Sequence, residues 1–346
     1  MEKTTALVIT GKEKIEFQEL PMPEPGDYEV LFHSQAASIC TIDKRAYKEI
    51  RKTQYPFLGG HECSGIVEKV GRGVVDLKPG DHAIITSAYC MQCANDRYGH
   101  ENICPNKNKL PKRVECEGNL LGCGFCEYLA VPVWQVIKVD KNVKFEHACL
   151  AEPLACVVHS IKKAQLKLAD TVVIVGFGVM GYLHLKLSLL QGARVIVSEP
   201  NEANRKRALE SGACRVVDPI NEDLGAIVDE MTEGTGCDVV FNTIPNSSAW
   251  KDIFRALGPN GKVVAYSSQD VKEGVPVDFG QVHSREYQLI GAVSPTLEDN
   301  ETAVRLISYG IIDISKIIDD IYDFKDGVQA FERACQPGSY RVVMRY

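Results

Sequence analysis

Cys40, the adjacent pair His61-Glu62 behind Gly60, and Glu152 offer a thiol, an imidazole and two carboxylates, all side chains that bind zinc. A zinc held this way with one open position would polarise an oxygen of a small molecule. Each residue alone also has a plainer reading, since a lone buried Cys is usually a small hydrophobe and a lone His a satisfied core residue. A second group, Cys90, Cys93, Cys104, Cys116, Cys123 and Cys126, crowds into one short region.

A third group suits a different ligand. Val172 to Val175 is a β-branched run that enters Gly176-Phe177-Gly178-Val179-Met180-Gly181 and then a helix-like stretch. In such a turn the first glycine permits the tight bend, the second lets a pyrophosphate approach the backbone amides, and the third lets helix pack on strand. The helix N-terminus then faces the anion. Glu199 follows Gly181 by 18 residues. A carboxylate there accepts both ribose hydroxyls of NAD and repels a 2′-phosphate. Arg205 and Arg207 would tolerate NADP, although both also read as solvated helix charges.

These residues need elements to position them. From about Thr171 short strand-like runs alternate with helical periodicity: Val172 to Val175, Val195 to Ser198, Arg215 to Val217, Asp238 to Phe241, Lys262 to Tyr266 and Leu289 to Ala292. Helix-like stretches at Asn201 to Ser211 and Ser247 to Leu257 end at Gly212 and Gly258. Alternation of this kind predicts a doubly wound parallel sheet, a Rossmann-like α/β domain. Upstream, short strands between turns such as Pro25-Gly26-Asp27 and Pro79-Gly80-Asp81 predict a mostly β domain. Helical runs near Glu301 to Tyr309 and Lys325 to Cys335 precede a strand-like tail, Tyr340 to Arg345, which periodicity alone does not place.

Composition narrows the classes. A chain of 346 residues favours two domains. A formal charge of -7 argues against nucleic acid, and no run of about 18 apolar residues suggests a membrane span. Thirteen cysteines with no secretion-like N-terminus point to reduced thiols and a cytoplasmic location.

In this order the motifs resemble the zinc-dependent medium-chain dehydrogenase/reductase superfamily, in its sorbitol (polyol) dehydrogenase-like branch. The matching residues are Ser38-Ile39-Cys40 with Asp43, Gly60-His61-Glu62-x-x-Gly65, the Cys90 cluster, Gly124-Phe125-Cys126-Glu127-Tyr128, Glu152-Pro153-Leu154 and the glycine turn. The resemblance implies a GroES-like catalytic domain of residues 1–155 and 293–346, with the Rossmann NAD-binding domain, 156–292, inserted between them. The unplaced tail would return to the first domain. It further implies a catalytic zinc at Cys40 and His61, with Glu62 and Glu152 as ligands directly or through water, and Asp43 orienting His61. A structural zinc would sit at Cys90, Cys93, Asp96 and Cys104, where Asp96 replaces the usual third cysteine. The implied reaction is hydride transfer from a secondary hydroxyl to NAD, in a homo-oligomer.

Two positions depart from the family pattern. The Ser or Thr that usually relays the proton is Ile42 here, which passes that work to Thr41, to a water beside Glu152 or Glu62, or to the substrate itself. Arg45 stands where many relatives carry histidine, in Cys40-x-x-Asp43-x-Arg45-x-Tyr47, a stretch similar to that of polyol-phosphate dehydrogenases. A permanently charged guanidinium there suits an alditol phosphate or sugar acid as well as a polyol.

Overall fold

A computed structural model describes residues 2–50, 52–267 and 274–346. The chain divides into two compact units, Met1–Ala155 with Ser294–Tyr346, and Cys156–Val293.

The second unit holds six parallel strands: β1 (Thr171–Val175), β2 (Arg194–Ser198), β3 (Arg215–Val217), β4 (Cys237–Asn242), β5 (Leu257–Ala265) and β6 (Gln288–Gly291). Their spatial order is β3-β2-β1-β4-β5-β6, the doubly wound arrangement in which the order reverses beside β1. The Val and Ile runs read in the sequence are these strands. Val173, Ile196, Val240 and Val263 are buried because helices cover both faces of a parallel sheet.

His184, in the helix Val179–Leu190, is fully buried against Phe241 and Tyr266. With its proton on Nδ1 it donates to the Met180 carbonyl (2.7 Å), and Nε2 accepts from the Ser160 hydroxyl (2.9 Å). Burial lowers its pKa to about 4. The unfolded chain takes up this proton below about pH 6.5, whereas the folded chain refuses it until about pH 4. Stability should therefore be whole above pH 6.5 and fall by about 3 kcal/mol across that window. Urea unfolding of wild type and His184→Gln from pH 7 to pH 4 measures this. Parallel pH curves for the two proteins would refute it.

The first unit contains two sheets. One has four strands in the order Lys14–Pro21, Lys3–Gly11, Phe57–Leu58, Asn119–Leu120. The other is built around Glu29–Ser38, which pairs antiparallel with Glu62–Val70, Tyr128–Pro132 and Arg341–Arg345. The tail strand thus enters the sheet, with Val343 opposite Ser38. Phe32, Phe125, Phe331, Leu7 and Leu58 fill the core between these elements. Helices Leu297–Ser308 and Gly327–Ala334 account for the two periodic runs downstream. The helix Thr41–Tyr47, α1, was not expected from the sequence, where this region read as strands and turns. No helix among the described residues is long and apolar enough to cross a membrane.

Candidate active site

Cys40 caps α1 at its N-terminus, and His61 and Glu62 lie where the chain enters the strand Glu62–Val70. Register places Glu62 opposite Ser38, two residues before Cys40, so the sheet itself brings the thiol to the imidazole and carboxylate. Ligand atoms of Cys40, His61 and Glu62 all lie within 4.8 Å of one another. The Nδ1 of His61 is buried and has no hydrogen-bond partner among the described residues. Burial alone would lower the proton affinity of this ring. The Cys40 thiol beside it, with the charges of Asp43 and Glu152, instead raises it well above the usual histidine range. An imidazole that gathers negative charge and keeps a buried, unpaired nitrogen beside a thiol is a donor set that suits zinc.

Asp43 is fully buried, but its carboxylate accepts from backbone: the Cys40 N–H at 2.9 Å and the Gly60 N–H at 3.4 Å. It thereby fixes the two segments that carry Cys40 and His61, and acts on the His61 ring through its charge. Burial raises the Asp43 pKa, against the opposing charge of His61.

The largest feature missed in the sequence is Arg341. Its Nη2 and Nε donate to the two oxygens of Glu62 at 2.6 and 2.9 Å, and Nη2 lies 3.7 Å from the Cys40 sulfur. Both partners are nearly inaccessible, at 4% and 0% side-chain exposure. Burial alone would raise the Glu62 pKa, but the Arg341 and His61 charges reverse that and hold it ionised. Both Glu62 oxygens are thus already shared with a guanidinium, in the fork geometry suited to a carboxylate. The one available sequence signal was an arginine opening an otherwise apolar strand, Arg341-Val342-Val343-Met344.

Glu152, in the first turn of the helix Ala151–Ala164, is buried. It stands outside the converging set of Cys40, His61 and Glu62, and its charge reaches both His61 and Arg341. Thr41 and Ile42 are exposed at the start of α1, and Arg45 is half-buried in its last turn.

The second cluster also converges. Cys90, Cys93, Asp96 and Cys104 place their ligand atoms within 4.8 Å of one another, whereas Cys116 stands apart with its thiol toward the Glu117 carbonyl. The Asp96 Oδ1 accepts from the Cys93 thiol at 3.1 Å, while Oδ2 accepts the Cys90 and Met91 amides at 3.0 and 2.7 Å. Burial raises the Asp96 pKa, but hydrogen bonds from these thiols and amides more than offset it. Three sulfurs and one oriented carboxylate make a closed four-donor set that suits a structural zinc.

In the second unit, Gly176 takes φ +91°, and Gly181 has no room for a side chain, since a Cβ would lie 2.1 Å from the Gly176 carbonyl oxygen. Gly178 caps the helix Val179–Leu190, and a Cβ on it would meet nothing within 4 Å. The backbone at Gly178 therefore borders open space at a helix N-terminus, a cradle that suits a pyrophosphate. The carboxylate of Glu199 accepts the Phe177 and Asn201 amides at 2.7 and 2.9 Å, which fixes it at the end of β2. Arg205 donates to the Glu199 and Pro200 carbonyls and pairs with Asp218 at 3.3 Å, so it braces this loop.

Residues 26–141 match the alcohol dehydrogenase GroES-like domain, and residues 169–309 match the zinc-binding dehydrogenase family. The L-threonine 3-dehydrogenase of Pyrococcus furiosus is 32% identical over 341 residues, covering 96% of this chain and 95% of that protein. The D-arabitol-phosphate dehydrogenase of Enterococcus avium is 28% identical over 343 residues, covering 96% and 94%. The benzyl alcohol dehydrogenase of Acinetobacter calcoaceticus shares the fold, with a TM-score of 0.90 over 100% of this chain and 99% of that one, at 22% identity. The chain belongs to the zinc-dependent medium-chain dehydrogenase/reductase superfamily and is an oxidoreductase with a GroES-like and a Rossmann domain.

Proposed function

We propose that the protein oxidises a secondary hydroxyl of a polyol, alditol phosphate or sugar acid and passes the hydride to NAD. The observation that carries this reading is the convergence of Cys40, His61 and Glu62 in a chain that also holds the dinucleotide turn. Relatives named for arabitol phosphate and threonine support a substrate with a hydroxyl and an anionic group.

Cys40 and His61 would hold the catalytic zinc, and Cys90, Cys93, Asp96 and Cys104 the structural one. A bound catalytic zinc lowers the pKa of a substrate hydroxyl, and the nicotinamide accepts the hydride. The chain's own residues do the rest. Asp43 holds the two ligand segments together, and Arg341 neutralises Glu62 beside the thiol. Both Glu62 oxygens are engaged by Arg341, and Glu152, whose charge reaches His61, would take the hydroxyl proton through water. That route does the work Ile42 cannot do. The charge of Glu199 favours the free 2′-hydroxyl of NAD over the phosphate of NADP.

The test is NADH production across neutral polyols, alditol phosphates, sugar acids and L-threonine, with Arg45→Ala beside wild type. No turnover of any of these by zinc-loaded protein would leave only a catalytically impaired binding protein. An anion preference that survives Arg45→Ala places the anionic anchor elsewhere. Glu199→Gln removes the charge together with one of the two amide acceptors, and should lower the kcat/KM preference for NAD over NADP at least about tenfold, or about 1.4 kcal/mol. A preference unchanged by Glu199→Gln would remove Glu199 from cofactor choice.

We further read the protein as a cytoplasmic homo-oligomer with no nucleic-acid or membrane partner. All thirteen cysteines are free, in keeping with a reducing compartment. The terminal strand β6 exposes Leu289, with Val293 exposed just beyond it, on an edge a second copy could cover.

A further inference from the structure

The first unit contains a cavity of about 240 Å³ whose lining is basic. Lys107, Lys112 and Arg113 contribute to its walls together with Asn108, Asn119 and Gly122, and no Asp or Glu is among the lining residues. Lys107 and Lys112 are exposed at its rim, whereas Arg113 is buried. A buried arginine is ordinarily held by a carboxylate. Arg113 instead donates to the Gly122 carbonyl (2.9 Å), the Thr86 carbonyl (2.9 Å) and the Gln135 side-chain oxygen (2.6 Å). All three acceptors are neutral, and they take three of the five donors of the guanidinium. Among the described residues no carboxylate forms an ion pair with it. The chain has thus placed a full positive charge in its interior without the counter-charge that would offset its desolvation.

The position of the cavity matters as much as its charge. Gly122, which accepts from Arg113, packs directly on the catalytic cluster: a Cβ on Gly122 would lie 2.4 Å from the His61 Cα. The wall of the basic cavity is therefore also the backing of His61. A space of this size takes the anionic end of a small molecule rather than a dinucleotide.

We propose that this cavity is the subsite for the oxyanionic end, phosphate or carboxylate, of the substrate whose hydroxyl is engaged at Cys40 and His61. This rests on the dehydrogenase reading given above. Arg113 supplies fixed charge and its two remaining donors, and Lys107 and Lys112 close over the anion from the rim. Arg45 is on a different element, α1, so the two candidate anchors are separable by mutation.

The test compares wild type, Lys107→Gln/Lys112→Gln, Arg113→Lys and, as a control in the same loop, Lys109→Gln. For each protein the ratio of kcat/KM for an alditol phosphate to that for its parent alditol is measured, and a second arm compares an aldonate with the same alditol. Calorimetric titration with inorganic phosphate gives a readout independent of turnover. The Lys107/Lys112 double variant should lower the preferred anion-to-neutral ratio at least about tenfold and weaken phosphate binding by a similar factor. Lys109→Gln should track wild type in both. The arm that shows the larger ratio in wild type identifies phosphate or carboxylate as the recognised group. Equal behaviour of the double variant and Lys109→Gln in both assays would overturn the proposal, as would the absence of phosphate binding to wild type. If no hydroxyl compound is oxidised but phosphate binds and the double variant loses it, the anion subsite stands and the dehydrogenase reading fails.

Discussion

Cys40→Ser should leave the protein with one zinc per chain instead of two and lower kcat/KM by at least about 10³-fold, or about 4 kcal/mol of transition-state stabilisation. The substitution isolates the metal contribution well. Cys40 is the N-cap of α1, and serine is a better helix cap than most residues, so the helix and the Asp43 contact to the residue 40 amide should survive. The zinc that remains would be the one at Cys90, Cys93, Asp96 and Cys104. Metal analysis and steady-state kinetics on the same preparation check both parts. Two zincs per chain with activity within tenfold of wild type would remove Cys40 from the ligand set.

Arg341→Met should cost about 3–5 kcal/mol, because it leaves the Glu62 carboxylate buried with its charge unanswered. For a protein of 346 residues that corresponds to a fall in Tm of about 4–7 °C. Adding Glu62→Gln to Arg341→Met should recover part of the loss, since the second change removes the stranded charge. The sign of that recovery separates an ion pair from simple packing. A double variant less stable than Arg341→Met by the full cost of Glu62→Gln alone would show that the two residues act independently. Differential scanning calorimetry of the four proteins supplies the comparison.

The dinucleotide unit was readable because its central strands β1, β2 and β4 are runs rich in β-branched residues and almost wholly buried, and such runs interrupt helical periodicity visibly. Val172 to Val175 falls on β1 almost residue for residue, whereas Lys262 to Tyr266 covers only the second half of β5, which begins at Leu257. The catalytic unit was less readable. The strand Phe57–Leu58 has two residues and pairs at Ile9 and at Asn119, so no local pattern announces it. The helix α1 has only seven residues, too few to show a period.

The candidate site divided along similar lines. Cys40, His61 and Glu62 were identifiable by type and order, and the fold brings them together. The partners that orient them were not. Asp43 was expected to orient the His61 ring and instead grips the amides of Cys40 and Gly60, a distinction that only backbone geometry makes. Arg341 reads in sequence as one charge in a strand-like tail, and its role depends on a register between strands that are far apart along the chain. Arg113 is similar, since nothing in Lys112-Arg113-Val114 distinguishes a buried guanidinium from a solvated one.

The pairing of Glu62 with Arg341 spans 279 residues, and this separation sets an order of events during synthesis. At about 5–20 residues per second, tens of seconds pass between the emergence of the two partners from the ribosome. In that interval Cys156–Val293 emerges complete and is free to fold as a unit, while the first 155 residues still lack the strand that finishes their sheet. During that wait Glu62 has no guanidinium to neutralise it, and the Cys40–His61 pair is exposed to any metal in its surroundings. The order of the chain thus gives the dinucleotide unit an interval in which it can form before the sheet behind Cys40 and His61 is complete.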